Sequence, residues 1–188
     1  MEGCKPFRYA DDMVLSFQYL RDAQRVRKVL DRRLEKYGLQ LNVDKTRIVP
    51  FSKKKHKLGE RQGSFKFLGF TFYLGKSIRG AIIPKLKTEG KRFRMKLQGV
   101  KSWCRTQRHQ IRMVHFWKQL CAKLRGHIAY YGVSHNTRYV RTFVNEVKKI
   151  AFKWLNRRSQ KRSFNWESFV LFLKHYPLPL VRVYHRLL

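Results

Sequence analysis

Two adjacent carboxylates, Asp11 and Asp12, sit between short apolar runs, with Phe7 and Tyr9 before them and Met13, Val14, Leu15 and Phe17 after them. These flanks favour strands, so the spacing predicts a hairpin carrying both acids at or beside its tip. Neighbouring carboxylates repel, and little in a fold requires them. They become useful where hard divalent cations are held by oxygen: Mg²⁺ takes one or two carboxylates together with waters and substrate phosphates. A pair of such ions can activate an attacking 3′ hydroxyl and stabilise a leaving pyrophosphate during in-line phosphoryl transfer. Asp is also favoured in ordinary turns, so a bare Asp-Asp pair is more often simply a polar turn.

The elements that must position this pair read as follows. Asp22 is placed to cap a helix in which Val26, Val29, Leu30, Leu34 and Tyr37 recur at helical spacing as a core stripe, and Gly38 is placed to end it. Gly38 to Val49 then reads as strand, polar turn and strand. Ser52 to Gly63 reads as a basic loop without periodicity. Phe65 to Leu74 alternates as one strand, with Gly75-Lys76 as a turn and Ile78 to Ile83 as its partner. Beyond Pro84 the pattern changes to long basic helices, predicted over Lys87 to Arg105, from Gln107-Arg108 to about Gly132, from a cap at Asn136 or Thr137 through Trp154, and over Trp166 to Tyr176, where Pro177 and Pro179 stop it. The expected class is therefore α+β: antiparallel strands plus one helix over residues 1–83, then an all-helical bundle over residues 84–188.

Composition sets the partner class. The 188 residues carry 44 Lys and Arg against 11 Asp and Glu, a formal charge of +33, which attracts polyanions and nucleic acid first among them. Five of the acids (Glu2, Asp11, Asp12, Asp22 and Asp31) fall in the first 31 residues, whereas only Glu146 and Glu167 lie beyond Glu89. An acidic metal end joined to a basic cradle has this asymmetry, and so does a plain basic surface. No apolar run is long enough to span a bilayer, so no membrane partner is expected. Met1 to Pro6 lack the apolar centre of a targeting segment. Cys4, Cys104 and Cys121 are odd in number without metal-like spacing, so reduced thiols in an intracellular, cytoplasmic setting are the expectation.

Tyr9-Ala10-Asp11-Asp12 within apolar strands resembles the polymerase signature of reverse transcriptases, and its surroundings resemble those of the group II intron family. Further segments follow in that family's order. The Gly38-Leu39 run leading to Lys45-Thr46 is similar to the segment after the catalytic hairpin, and Phe67-Leu68-Gly69-Phe70 to the edge between palm and thumb. Leu124-Arg125-Gly126-His127-Ile128-Ala129-Tyr130-Tyr131-Gly132-Val133 resembles the thumb or maturase region. The stretch from Trp154 to Glu167 and the closing Tyr176-Pro177-Leu178-Pro179 resemble the end of bacterial members.

The resemblance implies an RNA-directed DNA polymerase acting on an RNA template and a DNA primer, in which Asp11 and Asp12 are catalytic ligands of Mg²⁺ in a two-metal site. It implies that Lys45 lies near the incoming nucleotide and donates a proton to the leaving pyrophosphate, and that Gly69 admits the primer end. A surface lysine in a turn and a plain hairpin glycine are the structural alternatives for these two. RNA contact is expected of Arg125 and of the dense cluster Arg157, Arg158, Lys161 and Arg162. For Tyr130, Tyr131, Trp154 and Trp166, core packing is favoured over base stacking.

The sequence also departs from the family. Such an enzyme carries fingers and a first palm aspartate ahead of the hairpin, and around Glu2 nothing resembles that motif. A lone chain is expected to bind metal weakly and polymerise poorly, with a complementary N-terminal fragment as a candidate partner. No His-rich or Cys-rich endonuclease module appears. Pro6 stands where a strand residue is expected, and His127 where the family often has an aromatic. Three readings follow: a polymerase fragment, a maturase-like module that binds intron RNA with Asp11 and Asp12 as relics, and an unrelated basic scaffold, which the ordered motifs disfavour.

Overall fold

The computed structural model describes residues 4–158 and 165–187. It is α+β, and the chain divides into two compact units, Met1–Lys85 and Leu86–Leu188.

The first unit opens with an antiparallel hairpin of β1 (Lys5–Tyr9) and β2 (Asp12–Ser16), in register Tyr9 to Asp12 and Phe7 to Val14. Pro6 lies within β1 opposite Leu15. Helix α1 (Leu20–Glu35) starts one residue after Tyr19, so Asp22 sits in its first turn and does not cap it. An acid there still complements the positive end of the helix dipole. The helix closes as a Schellman turn at Gly38, φ +68°, with Gly38 N donating to Glu35 O and Leu39 N donating to Leu34 O. Its apolar stripe is not core. Val26, Leu30 and Leu34 are half-buried, Val29 and Tyr37 are exposed, and no residue of α1 is buried.

The two strands expected between Gly38 and Val49 are absent. Asn42 binds its own neighbourhood instead: its carbonyl accepts from Thr46 Oγ1 at 2.7 Å and its side-chain oxygen accepts from Lys45 N at 3.1 Å. Such local bonds compete with a strand ladder. The basic loop contains a short helix, α2 (Lys53–Lys57), started by Ser52, whose hydroxyl accepts from Lys55 N. The single strand expected over Phe65 to Leu74 is two strands, β3 (Phe65–Phe67) and β4 (Phe70–Lys76), joined by Leu68-Gly69. Both turn residues have positive φ, +50° and +74°, as a tight two-residue hairpin of the I′ kind requires. Gly75-Lys76 therefore lies inside β4, and the next turn runs through Ser77 to Gly80, where Gly80 has φ +77°. Strand β5 (Ile82–Thr88) completes the order β3-β4-β5 and includes Pro84, which an edge strand tolerates since it lacks a ladder N–H.

The second unit is built from α3 (Gly90–Gln110), α4 (Met113–Tyr131), α5 (Thr137–Leu155) and α6 (Trp166–His175). The expected second helix begins later than its pattern suggested, because Gln107 and Arg108 still belong to α3, and Val114 is exposed rather than inward. The inner stripes meet at Cys104, Phe116, Leu120, Leu124, Phe143, Val147, Ala151 and Phe169, all essentially sealed from solvent. Full burial of each large apolar side chain contributes about 1.5–3 kcal/mol.

Two devices fix the ends of the helices. Asn136 precedes α5, yet its side chain turns inward: Oδ1 accepts from Thr88 N at 2.8 Å, and Nδ2 donates to Tyr131 O at 2.8 Å and to Thr88 Oγ1 at 2.9 Å. The second device is Gly132, whose carbonyl accepts from Tyr184 N and His185 N as the C-terminal segment passes. A Cβ at Gly132 would meet Ile128 O and would stand 2.5 Å from Arg182 O. Gly132→Ala is therefore expected to destabilise the second unit by about 1–3 kcal/mol, seen as a lower urea midpoint with loss of protection at Tyr184 and His185 amides. An unchanged midpoint would show that the C-terminal segment does not pack this closely.

Candidate functional site

A two-residue turn, Ala10-Asp11, links β1 to β2, so Asp11 forms the tip and Asp12 the first rung of the ladder. Of the two turn residues only Ala10 has positive φ, +50°. That is the pattern of a II′-like hairpin, a position that suits glycine and strains a residue with a Cβ. Arg8 Nε donates to Ala10 O at 3.0 Å and braces the turn. Both aspartates are exposed, and among the described residues neither carboxylate has an ion-pair or hydrogen-bond partner. The folding therefore spends nothing on them and leaves both as free oxygen donors.

The donor set fits one hard cation held by one or two carboxylates and completed by water and phosphate. It does not by itself make a two-metal site, since no group of three or more His, Cys, Asp or Glu side chains comes together among the described residues. Lys45 lies in the exposed Val43–Lys45 turn, and no hydrogen bond or ion pair joins it to either aspartate. Gly69 is the second residue of the β3–β4 turn.

Residues 2–72 match the reverse transcriptase (RNA-dependent DNA polymerase) family model. The match covers the hairpin, α1, α2, β3 and the start of β4, so the exposed Asp11-Asp12 tip lies within the matched residues. Comparisons with curated proteins and with solved structures give no match. Among the described residues no helix is long and apolar enough to cross a membrane.

Outside the matched residues, the predicted contact residues separate. Arg125 is exposed on α4. Arg157 is exposed and places its guanidinium 5.5 Å from the Trp154 ring centroid, while Arg158 is half-buried with Nη2 donating to Ile111 O at 2.8 Å. Lys161 and Arg162 lie outside the described residues. Tyr131 and Trp154 are buried, as core packing predicts, whereas Tyr130 and Trp166 are about half exposed.

Sequence reasoning missed Arg108, which stands 4.8 Å over the same Trp154 ring and donates from Nε to Arg157 O at 3.2 Å. Its place in the last turn of α3 marks it as a partner for helix-end carbonyls but gives no sign of Trp154.

Buried titratable groups in this unit are kept neutral. Burial pushes the Cys104 thiol up to about 12, against the opposing pull of Lys123, and raises Cys121 as well. Neither is a nucleophile at neutral pH. His127 stacks on Phe143 with centroids 3.6 Å apart, and burial first, then the Lys96 cation, lower its pKa to about 4.

An unfolded imidazole titrates near 6.5, so the folded state binds fewer protons between there and about 4. Stability is therefore lost as pH falls through that window, by at most about 2 kcal/mol at pH 5. The melting temperature should drop more between pH 7 and pH 5 in the wild type than in His127→Phe. Parallel curves for the two proteins would remove His127 as the cause.

Proposed function

We propose that this chain is the metal-bearing part of a palm joined to a basic helical RNA-binding unit, of the kind found in group II intron reverse transcriptases. The observation that carries the reading is the coincidence of the family match with an Asp-Asp pair presented, unpartnered, at a hairpin tip. Asp11 and Asp12 are the residues that would hold Mg²⁺, and bound there the ion would supply charge stabilisation for phosphoryl transfer. The exposed side chains of Arg125 and Arg157 contact phosphates of the RNA template or the DNA primer. Lys45 takes the role of a cation near the nucleotide, and Gly69 that of a close backbone approach.

Two carboxylates are fewer than a two-metal transfer uses. Polymerisation on this reading uses at least one further carboxylate beside Asp11 and Asp12. The second reading is a maturase-like module that binds intron RNA without catalysis. The sealed core and the excess of positive over negative side chains in the second unit favour it, since neither depends on the hairpin.

Primer extension on an RNA template with Mg²⁺ separates the two. The chain is assayed alone and with a separately made fingers and front-palm fragment, and Asp11→Ala with Asp12→Ala serves as control. The polymerase reading expects extension in the mixture that falls at least about 10³-fold in the double variant, the scale on which removing electrostatic stabilisation of a transition state acts. No extension in either case, with tight binding to structured RNA retained, supports the maturase-like reading.

A further inference from the structure

The C-terminal ends of α3 and α5 meet where two guanidinium groups stand over one indole and a third, that of Arg158, is bonded to Ile111 at the end of α3. Arg108 and Arg157 both stand over the Trp154 ring, at 4.8 and 5.5 Å from its centroid. Arg108 is tied down by three contacts, donating from Nη1 to Arg105 O at 2.8 Å and from Nε to Arg157 O at 3.2 Å and to His109 Nε2 at 2.8 Å. Arg158 is held by the single bond from Nη2 to Ile111 O. Part of this arrangement is explained by the fold, because cations beside exposed helix-end carbonyls are favourable.

Two donors are not so explained. Trp154 is 8 % exposed, and its Nε1–H has no acceptor; Nη1 of Arg158 is likewise buried without one. Buried donors left unpaired are uncommon, and each asks for a partner. The surroundings supply no counter-charge either, since no ion pair reaches Arg108, Arg157 or Arg158 among the described residues, and only Glu146 and Glu167 lie beyond Glu89 in sequence. Two guanidinium groups over one ring, a third bonded at the same end of α3 and two unmatched N–H donors call for a compact anion with several acceptor oxygens.

We propose that the α3–α5 junction is a phosphate-binding site, in which Arg108, Arg157 and Arg158 supply charge and the Trp154 indole N–H donates to a phosphate oxygen. Guanidinium matches phosphate geometry better than ammonium does, and an indole donor adds direction. The group is a single phosphate, borne either at the 5′ end of an RNA strand or within it. Where it belongs to RNA, the site deepens the nucleic-acid-binding reading above and rests on it.

Indole-¹⁵N labelling of the full chain provides a direct readout, since the four tryptophans give four N–H signals and Trp154→Phe assigns one of them. Trp117 is the internal control, because its Nε1 already donates to Tyr176 O at 3.1 Å. Inorganic phosphate is titrated against chloride at equal ionic strength, followed by short oligoribonucleotides with and without a 5′ phosphate. The Trp154 signal should shift saturably with phosphate while that of Trp117 stays put, and Arg157→Gln, at an exposed position, should weaken the response about tenfold, with Arg157→Lys intermediate.

A response confined to the 5′-phosphorylated oligomer assigns the site to a strand end, and equal responses assign it to an internal phosphate. Uniform movement of all four signals, or none, overturns the site. If RNA binding persists undiminished in Arg157→Gln while the Trp154 signal stays still, the site fails and the nucleic-acid reading survives.

Discussion

A formal charge of +33 on 188 residues opposes compaction, and the sealed apolar core of the second unit is what holds that unit against it. Phe116, Leu120, Leu124, Phe143, Val147 and Phe169 bury their side chains completely, or nearly so, between α3, α4, α5 and α6. Most cationic side chains on those helices are exposed, and Arg108 in the last turn of α3 donates to carbonyls. The same burial keeps Cys104 and His127 uncharged. A basic surface of this density is therefore a by-product of no single contact; it is tolerated because the core beneath it is closed.

The first unit is organised differently. Its strand β1 is exposed throughout, Val14 and Leu15 of β2 are half-buried, α1 buries no residue, and among the described residues only Phe70 and Leu74 are buried within it. A two-stranded sheet is marginal by itself in water. What the hairpin does possess is a tip held in a demanding conformation, with Ala10 at positive φ and two carboxylates that serve no structural purpose. Strain of this kind, placed beside unpartnered carboxylates, is the kind of feature that clusters at binding sites.

Much of this was legible in the residues. The apolar periods around Phe116, Leu124, Val140 and Phe143 located the bundle, because a 3.6-residue stripe that closes on itself leaves a clear signature. Asp11 and Asp12 stood out for the opposite reason, as polar residues that the local pattern did not need. The misreadings were local. At Leu68-Gly69 unbroken alternation concealed a turn, since a leucine at positive φ gives no warning in a one-dimensional pattern. At Asn42 a side chain took over the backbone bonds that a strand would have used, and at Asn136 a residue of capping type turned inward to Thr88. Arg108 was hidden because its role depends on Trp154, 46 residues later; that pairing is created by α3 and α5 packing and has no local trace.

Metal binding at the hairpin tip is the central claim, and paramagnetic broadening by Mn²⁺ tests it most directly, being independent of any polymerase activity. With Mn²⁺ well below one equivalent, amide signals of Tyr9 to Met13 should broaden first, and the broadening should vanish when Asp11 and Asp12 are both replaced by Asn. Broadening centred elsewhere, or unchanged in the double variant, would contradict the assignment of these two carboxylates as the metal ligands.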